Sequence, residues 1–344
     1  MCKCLALFFT WLQSRYFHSI ANQSTFNVAK LLYILLIVKK YQLFCATLKN
    51  GKLLKANILF IINPISGGKK KTKIPDLIDA YLDKTKFNPN YSYTEYVGHA
   101  TELTEEAANK NFDIIVAVGG DGTINEVGTK VVEHQKILGI IPQGSGNGLA
   151  RFLKIPLETK KAIQLINKYN VNVIDTAKLN GRSFFNMAGL GFDAHISAVF
   201  AGNKSRGLKG YIEMGLKEMT SYQPQCYILD IDGVIYHRDA FVISIANSSQ
   251  YGNNVYISPK SSVSDGWLDV CIIKPFPLYK IPVLAFQMIR ATTDRSDMVE
   301  IIRGKQIKIT RKEEDSIHID GEPFVMGKEI DIAIHPSSLS IITK

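Results

Sequence analysis

No aspartate or glutamate occurs before Asp76, although twelve lysines and arginines stand between Lys3 and Lys73. That acid-free stretch carries the positive balance of the 344-residue chain, whose formal net charge is +10; the remainder is slightly acidic. A basic excess confined to one end fits an anionic membrane surface or a phosphate ligand better than a nucleic-acid-binding body. No interleaving of basic and aromatic residues supports RNA or DNA either. Cysteine is sparse: Cys2, Cys4, Cys45, Cys226 and Cys271 fit no zinc spacing, and an odd, scattered set excludes a disulfide framework. A reducing cytosol is the expected compartment. Long apolar runs are missing as well. Residues 5–12 and 31–38 fall short of the roughly 20 needed to cross a bilayer, so no transmembrane span is expected. Internal repeats and low-complexity tracts are absent.

What is present is a globular body. The apolar fraction of 46% and charged fraction of 21% exclude extensive disorder, and the length suits two domains. Residues 1–54 stand apart as a basic, apolar extension. They either lie in the membrane interface or precede the true start of the protein and are not made. From Lys55 onward, apolar strands are expected at 57–62, 91–96, 114–118 and 137–141. Helices are expected at 74–84 and at 101–109, the latter opened by a Thr101 cap. Strands and helices alternating at this spacing indicate a doubly wound parallel sheet. Beyond about Asn180, short segments at 184–187, 225–231, 241–246, 267–273, 306–310 and 316–319 read as an antiparallel sandwich or barrel. Helices near 208–220 and 278–290 interrupt it.

The strongest local signal is residues 114–127, IIVAVGGDGTINEV. A buried strand that runs through Gly119, Gly120, Asp121, Gly122 and Thr123 into a helix is a phosphate-holding arrangement. Asp121 is the unusual member, because a carboxylate beside a phosphate calls for a metal between them or for a proton to accept. This favours a nucleoside triphosphate with Mg²⁺ over a dinucleotide. Two more turns follow strands: Asn63-Pro64 with Ser66-Gly67-Gly68, and 142–147, PQGSGN. All three should lie at the carboxyl edge of the sheet, where ligands bind. Lys69, Lys70, Lys71 and Lys73 either face the same anion or form a solvated helix face.

These motifs, with Thr94, Gly98-His99-Ala100, Asn125-Glu126, Leu149-Ala150-Arg151, 264–269 (SDGWLD) and 320–323 (DGEP), occur in an order that resembles the diacylglycerol kinase catalytic family. Specifically, the chain is similar to the soluble bacterial lipid kinases related to sphingosine and ceramide kinases. The resemblance covers Lys55 to the C-terminus. It implies an ATP-binding α/β domain made of residues 55–180 plus 334–344, and a β-rich lipid-substrate domain at 181–333 with the active site in the cleft between them. It also implies that Asn63, Thr94, Gly119, Gly120, Asp121, Gly122, Thr123, Gly144, Ser145 and Asn147 contact the nucleotide. By the same resemblance Asp265 binds Mg²⁺, with backbone carbonyls near Ser262 and Trp267. Glu322 takes the place of the general base, and Asp121 is the other candidate proton acceptor. Asp320 is expected to hydrogen-bond Asp265 or to relay to it through water. Many diacylglycerol-type members carry Asp after the Asn of the third loop. Here that residue is Gly148, which leaves the acceptor lipid open.

The implied activity is transfer of the ATP γ-phosphate to a lipid hydroxyl at a membrane surface, by a cytoplasmic protein peripheral to the inner face of the membrane. Residues 211–219 and 276–289 offer apolar side chains to line a lipid groove, or to pack the core. Two rivals stand beside this reading: a kinase of a soluble substrate, such as an NAD kinase or phosphofructokinase-like enzyme, and a nucleotide- or lipid-binding regulator without turnover.

Overall fold

Seven residues, Ala56–Ile62 (β1), become fully buried after their first two, and their alternate side chains feed two different cores. The computed structural model describes residues 48–49, 52–53, 55–68, 71–201 and 208–344. The expectations for residues 1–54 therefore lie almost wholly outside the described residues, as do those for Lys69 and Lys70. Before Lys55, an antiparallel pairing of Leu48–Lys49 with Lys52–Leu53 is described. Residues 55–344 form one compact unit.

In that unit β1 is followed by α1 (Ile74–Tyr81), β2 (Phe87–Tyr93), α2 (His99–Asn109), β3 (Ile114–Gly119), α3 (Asp121–Glu133) and β4 (Ile137–Pro142). The four strands pair in parallel in the order β4-β3-β1-β2. Leu59, Ile61, Ile115 and Ala117 pack under α2 and α3, whereas Ile58, Phe60, Val116 and Val118 pack on the opposite face. A strand buried on both faces has no polar side to alternate with, which is why these segments read as unbroken apolar runs. α4 (Gly148–Phe152) and α5 (Thr159–Lys168) complete the layer. Helix α2 begins two residues earlier than its sequence suggests. Its N-cap is Gly98, not Thr101, and the Glu126 carboxylate accepts the N–H groups of Gly98 (3.1 Å) and Ala100 (3.0 Å).

The rest is β-rich, as the turn-punctuated pattern required. β5 (Val171–Leu179), β6 (Arg182–Phe184), β7 (Met187–Gly191), α6 (Phe192–Ala201) and α7 (Leu208–Met219) come first. β8 (Gln225–Ile231), β9 (Val234–Ala240), β10 (Val242–Ala246), β11 (Gln250–Gly252), β12 (Val255–Tyr256) and β13 (Leu268–Ile273) follow. The chain ends with α8 (Ile281–Ile289), β14 (Val299–Gly304), β15 (Gln306–Arg311), β16 (Asp315–Ile319), β17 (Glu322–Met326) and β18 (Glu329–Ile342). A six-stranded antiparallel sheet has the order β14-β13-β10-β7-β16-β17. Its inner face packs Leu190, Ile243, Val270 and Ile317 against Leu229, Ile309 and Ile332 of the larger sheet. That larger sheet runs β9-β8-β15-β18-β4-β3-β1-β2, with β5 and β6 attached beside β18. Antiparallel strands thus extend the parallel sheet. The join is β18, whose Ser340 and Ile341 pair in parallel with Ile137 and Leu138, while its earlier residues pair antiparallel with β15 and β5.

Candidate active site

The three glycine-rich turns meet at the carboxyl ends of β1, β3 and β4, and they touch. A methyl group on Gly67 (φ +62°) would sit 2.1 Å from the Gln143 carbonyl oxygen, and one on Gly144 would sit 2.5 Å from Gly120 Cα. Turn-on-turn packing therefore demands glycine at these positions even before any ligand arrives. Asn63 connects two of the turns: its Nδ2 donates to Thr123 Oγ1 at 3.0 Å and its Oδ1 accepts the Ile65 N–H at 3.1 Å. Lys71 is buried and donates to the Ser66 carbonyl, which ties it to the first turn instead of leaving it on a solvated face.

Helix α3 opens with Gly120 as N-cap and has no side-chain cap. Its first N–H groups and the positive end of its dipole are directed at the cleft. The cleft, of about 350 Å³, is lined by Asn63, Ile65, Ser66 and Gly67, by Gly120, Asp121, Gly122 and Thr123, by Gly144, and by Asp320, Gly321 and Glu322. One wall comes from the parallel-sheet half and the other from the turn between β16 and β17. Across it, a methyl group on Gly122 would lie 2.7 Å from Glu322 Oε1, so this carboxylate rests on the first turn of α3. Glu322 keeps contact with solvent, but partial desolvation against the cleft wall, and then the charge of Glu126, push its carboxyl above its ordinary range.

The other two carboxylates of the cleft have different duties. Asp121 accepts the N–H of Asn147 through Oδ2 and that of Gly148 through Oδ1, each at 2.8 Å. It thus caps α4 and fastens the second turn to the third. This commitment is sufficient to account for a carboxylate beside an anion-binding turn. Burial first, then the charge of Asp320, push Asp121 up to about 6 against the pull of those N–H groups. Asp320 accepts the N–H groups of Phe185 (3.0 Å), Asn186 (2.9 Å) and Met187 (3.1 Å), and the Asn125 amide at 2.8 Å. Asp265 is not among these direct partners, and burial raises the Asp320 carboxyl too.

Other sequence candidates are placed nearby without facing the cleft. Asn147 is buried in the left-handed conformation (φ +51°) and staples its own loop, donating to the Gly144 carbonyl and accepting the Gly144 N–H. Ser145 is exposed at the tip of that loop. Thr94 is buried just beyond β2, its N–H bonded to the Ile62 carbonyl at 3.0 Å. Gly119 is buried at the end of β3, directly beneath Thr123.

The residues assigned to Mg²⁺ do not fit a resident ion as they stand. Asp265 is ion-paired with Arg303 through one oxygen and accepts the Trp267 N–H at 3.2 Å through the other. Arg303 also reaches Asp269 at 3.2 Å. Ser262 Oγ shares a 3.3 Å contact with Ser264 Oγ. A guanidinium on the one carboxylate takes the place that a hard cation would need. None of the three residues lines the cleft, and among the described residues no group of three His, Cys, Asp or Glu side chains is placed to hold a metal.

Sequence reasoning gave no role to Glu126, Asn125 or Asp175. Asp175 accepts the N–H groups of Gly266 (2.8 Å) and Ser337 (2.7 Å), securing the Asp265 loop beside β18. Its partners lie 91 and 162 residues away, so no local pattern announces it.

Two family models match this architecture in sequence. The diacylglycerol kinase catalytic domain matches residues 57–179, and the YegS C-terminal NAD kinase beta sandwich-like domain matches residues 186–343. The chain therefore carries a diacylglycerol kinase catalytic domain followed by a YegS-like C-terminal domain. The matched domain and the names of its relatives make it a kinase-type enzyme. It is 28% identical over 268 residues to a diacylglycerol kinase of Bacillus subtilis (strain 168), covering 76% of this chain and 88% of that one. A diacylglycerol kinase of Staphylococcus aureus (strain bovine RF122 / ET3-1) is 26% identical over 268 residues, covering 76% and 84%. A crystal structure from Bacillus anthracis str. Sterne, provisionally named as a diacylglycerol kinase, superposes with a TM-score of 0.69 at 25% identity, covering 84% of this chain and 97% of that chain. The similarity thus spans both halves of the fold. Among the described residues no helix is long and apolar enough to cross a membrane.

Proposed function

We propose that this protein is an ATP- and Mg²⁺-dependent lipid kinase that transfers the γ-phosphate to the hydroxyl of a diacylglycerol- or sphingoid-type lipid. The observation that carries the reading is the place of Glu322, whose carboxylate rests on the uncapped first turn of α3. An anion-binding helix end and a proton acceptor then share one cleft, which is what phosphoryl transfer to an alcohol needs. The relatives' names, diacylglycerol kinase, support the lipid acceptor.

The N–H groups opening α3 and the Ser66–Gly67 turn receive the phosphates, and Glu322 takes the hydroxyl proton as the oxygen attacks in line. Asp121 and Asp320 hold the walls in register and are not the proton acceptors in this scheme, because backbone N–H groups already occupy their oxygens. Mg²⁺ bound to the incoming nucleotide would neutralise phosphate charge. The protein would act at the inner face of the membrane, where its substrate resides.

The test is transfer of labelled γ-phosphate from ATP to diacylglycerol, monoacylglycerol, sphingoid base, ceramide and phosphatidylglycerol in mixed micelles, run beside Glu322→Gln. A labelled lipid that disappears in the variant is the expected result. Measurable ATP binding with no labelled lipid, or label on a soluble acceptor instead, would overturn the proposal.

A further inference from the structure

From Val270 to Thr293 the chain contains no acidic residue and three basic ones, Lys274, Lys280 and Arg290. In the middle of this stretch lie the 3-10 turn Leu278–Lys280 and helix α8. The helix is inverted relative to an ordinary surface helix. Leu284 is its buried side chain, while Val283, Phe286 and Ile289 are 51%, 62% and 63% exposed. Leu278 and Tyr279 extend the apolar surface, at 46% and 78% exposed. Positions 283, 286 and 289 recur every three residues and so share one face. Scattered apolar side chains on a surface are ordinary; five within twelve residues form a patch with a purpose.

The occupant follows from the charges. Lys280 is paired with Asp297 at 2.9 Å and Lys274 lies 4.0 Å from Glu300, but Arg290 is exposed with no carboxylate partner among the described residues. An apolar face that includes aromatic side chains, in an acid-free segment with basic residues at its margins, complements acyl chains below anionic headgroups. A second copy docking through a two-fold axis would bring the same cations face to face. The patch is also linked to the cleft. Helix α8 packs on β12, and Thr293 just beyond it donates to the Tyr256 carbonyl at 3.3 Å. β12 pairs with β11, whose Gly252 lies against the backbone of Gly146 in the third glycine turn.

We propose that the outer face of α8 and the turn before it dock on an anionic phospholipid bilayer, bringing the cleft to the surface that supplies its acceptor. The benefit to catalysis rests on the lipid-kinase reading; the docking does not. The test is therefore co-sedimentation of the full chain with phosphatidylcholine–phosphatidylglycerol vesicles that contain no diacylglycerol and no nucleotide. The chain is expected to bind, less so with phosphatidylcholine alone or at high salt. The double variant Phe286→Ser/Ile289→Ser is expected to partition about tenfold more weakly. It should keep its circular dichroism spectrum and its rate on a water-dispersed short-chain diacylglycerol. In Phe286→Trp, brominated acyl chains should quench the added fluorescence. Failure of the chain to bind, undiminished binding by the double variant, no quenching, or a dimer in solution that the double variant dissolves would each overturn the proposal. Binding through α8 with no lipid phosphorylated would instead leave docking standing and sink the kinase reading.

Discussion

Glu322 and Asp121 border one cleft under opposite obligations, and single substitutions separate them. Among the described residues the Glu322 carboxylate accepts no N–H group, and it stands over Gly122. In Glu322→Gln the carboxamide keeps the shape and cannot take a proton, so kcat/KM is expected to fall on the order of 10²–10⁴-fold. Because the carboxyl is raised by partial desolvation and Glu126, the acidic limb of the wild-type profile should lie above the ordinary glutamate range, with the rate falling as pH drops through it. That limb should be missing from the variant's residual activity; an identical limb in both would assign the base elsewhere. Asp121 should matter for stability. Its carboxyl titrates at about 6 in the folded protein against 3.8 as its ordinary value. The folded state therefore holds this proton more tightly, and the stability it contributes is full below the unfolded value and lost as pH rises through about 6. Asp121→Asn removes that dependence. Relative to the variant, the wild type should gain about 2–3 kcal/mol between about pH 7 and pH 4, read from urea denaturation of both proteins. A pH-independent difference would mean that Asp121 titrates like an exposed aspartate.

At the scale of elements, the glycine turns carry two requirements at once: backbone N–H groups aimed at an anion, and mutual contact. Gly67→Ala places a methyl group 2.1 Å from the Gln143 oxygen in a left-handed conformation, and Gly144→Ala presses on Gly120. Each should cost about 1–3 kcal/mol and displace the neighbouring turn, weakening ATP binding measured by calorimetry. Gly181→Ala is the control, with φ +80° but open space around it. It should cost about 1 kcal/mol of strain and leave ATP affinity unchanged. Equal affinity losses in all three would show that general destabilisation, not turn geometry, is being read. The same turns explain what the sequence made legible. Strands such as Ile114–Gly119 are apolar throughout and end in Gly-Gly-Asp-Gly, so their position and the edge they share could be read directly. Convergence of Asn63, Gly120, Thr123 and Gly144 on one edge followed from the strands they end, whereas the place of Glu322 opposite them came from the family resemblance. Strand Val234–Ala240 was not, because VIYHRDA is a largely exposed edge strand whose polar residues mask the alternation. Nor was the duty of Asp121, since its bonds reach a turn 26 residues further on and depend on how the turns stack.

Over the whole molecule, the two halves are joined through β18. Its 14 residues pair with β15 and β5, then reach β4 in the parallel sheet, so one strand belongs to both hydrophobic layers. Leu339 and Ile341 fill the core under α2 and α3, while Ile330 and Ile332 fill the sandwich. Asp320 adds a second bond between halves through Asn125 of α3. Neither core can lose its share of β18 without exposing large buried side chains, and deleting each such side chain typically costs about 2–5 kcal/mol. The two halves are therefore expected to open as one cooperative unit. In native-state hydrogen exchange, the amides of Val116 in β3 and Val270 in β13 should report the same opening free energy and fall in parallel with added urea. Ending the chain after Ile334 should abolish both sets of protection and not merely loosen the first half. A truncated chain that kept the β7–β10–β13 amides protected would show that the sandwich folds by itself, and that β18 only docks against a finished structure.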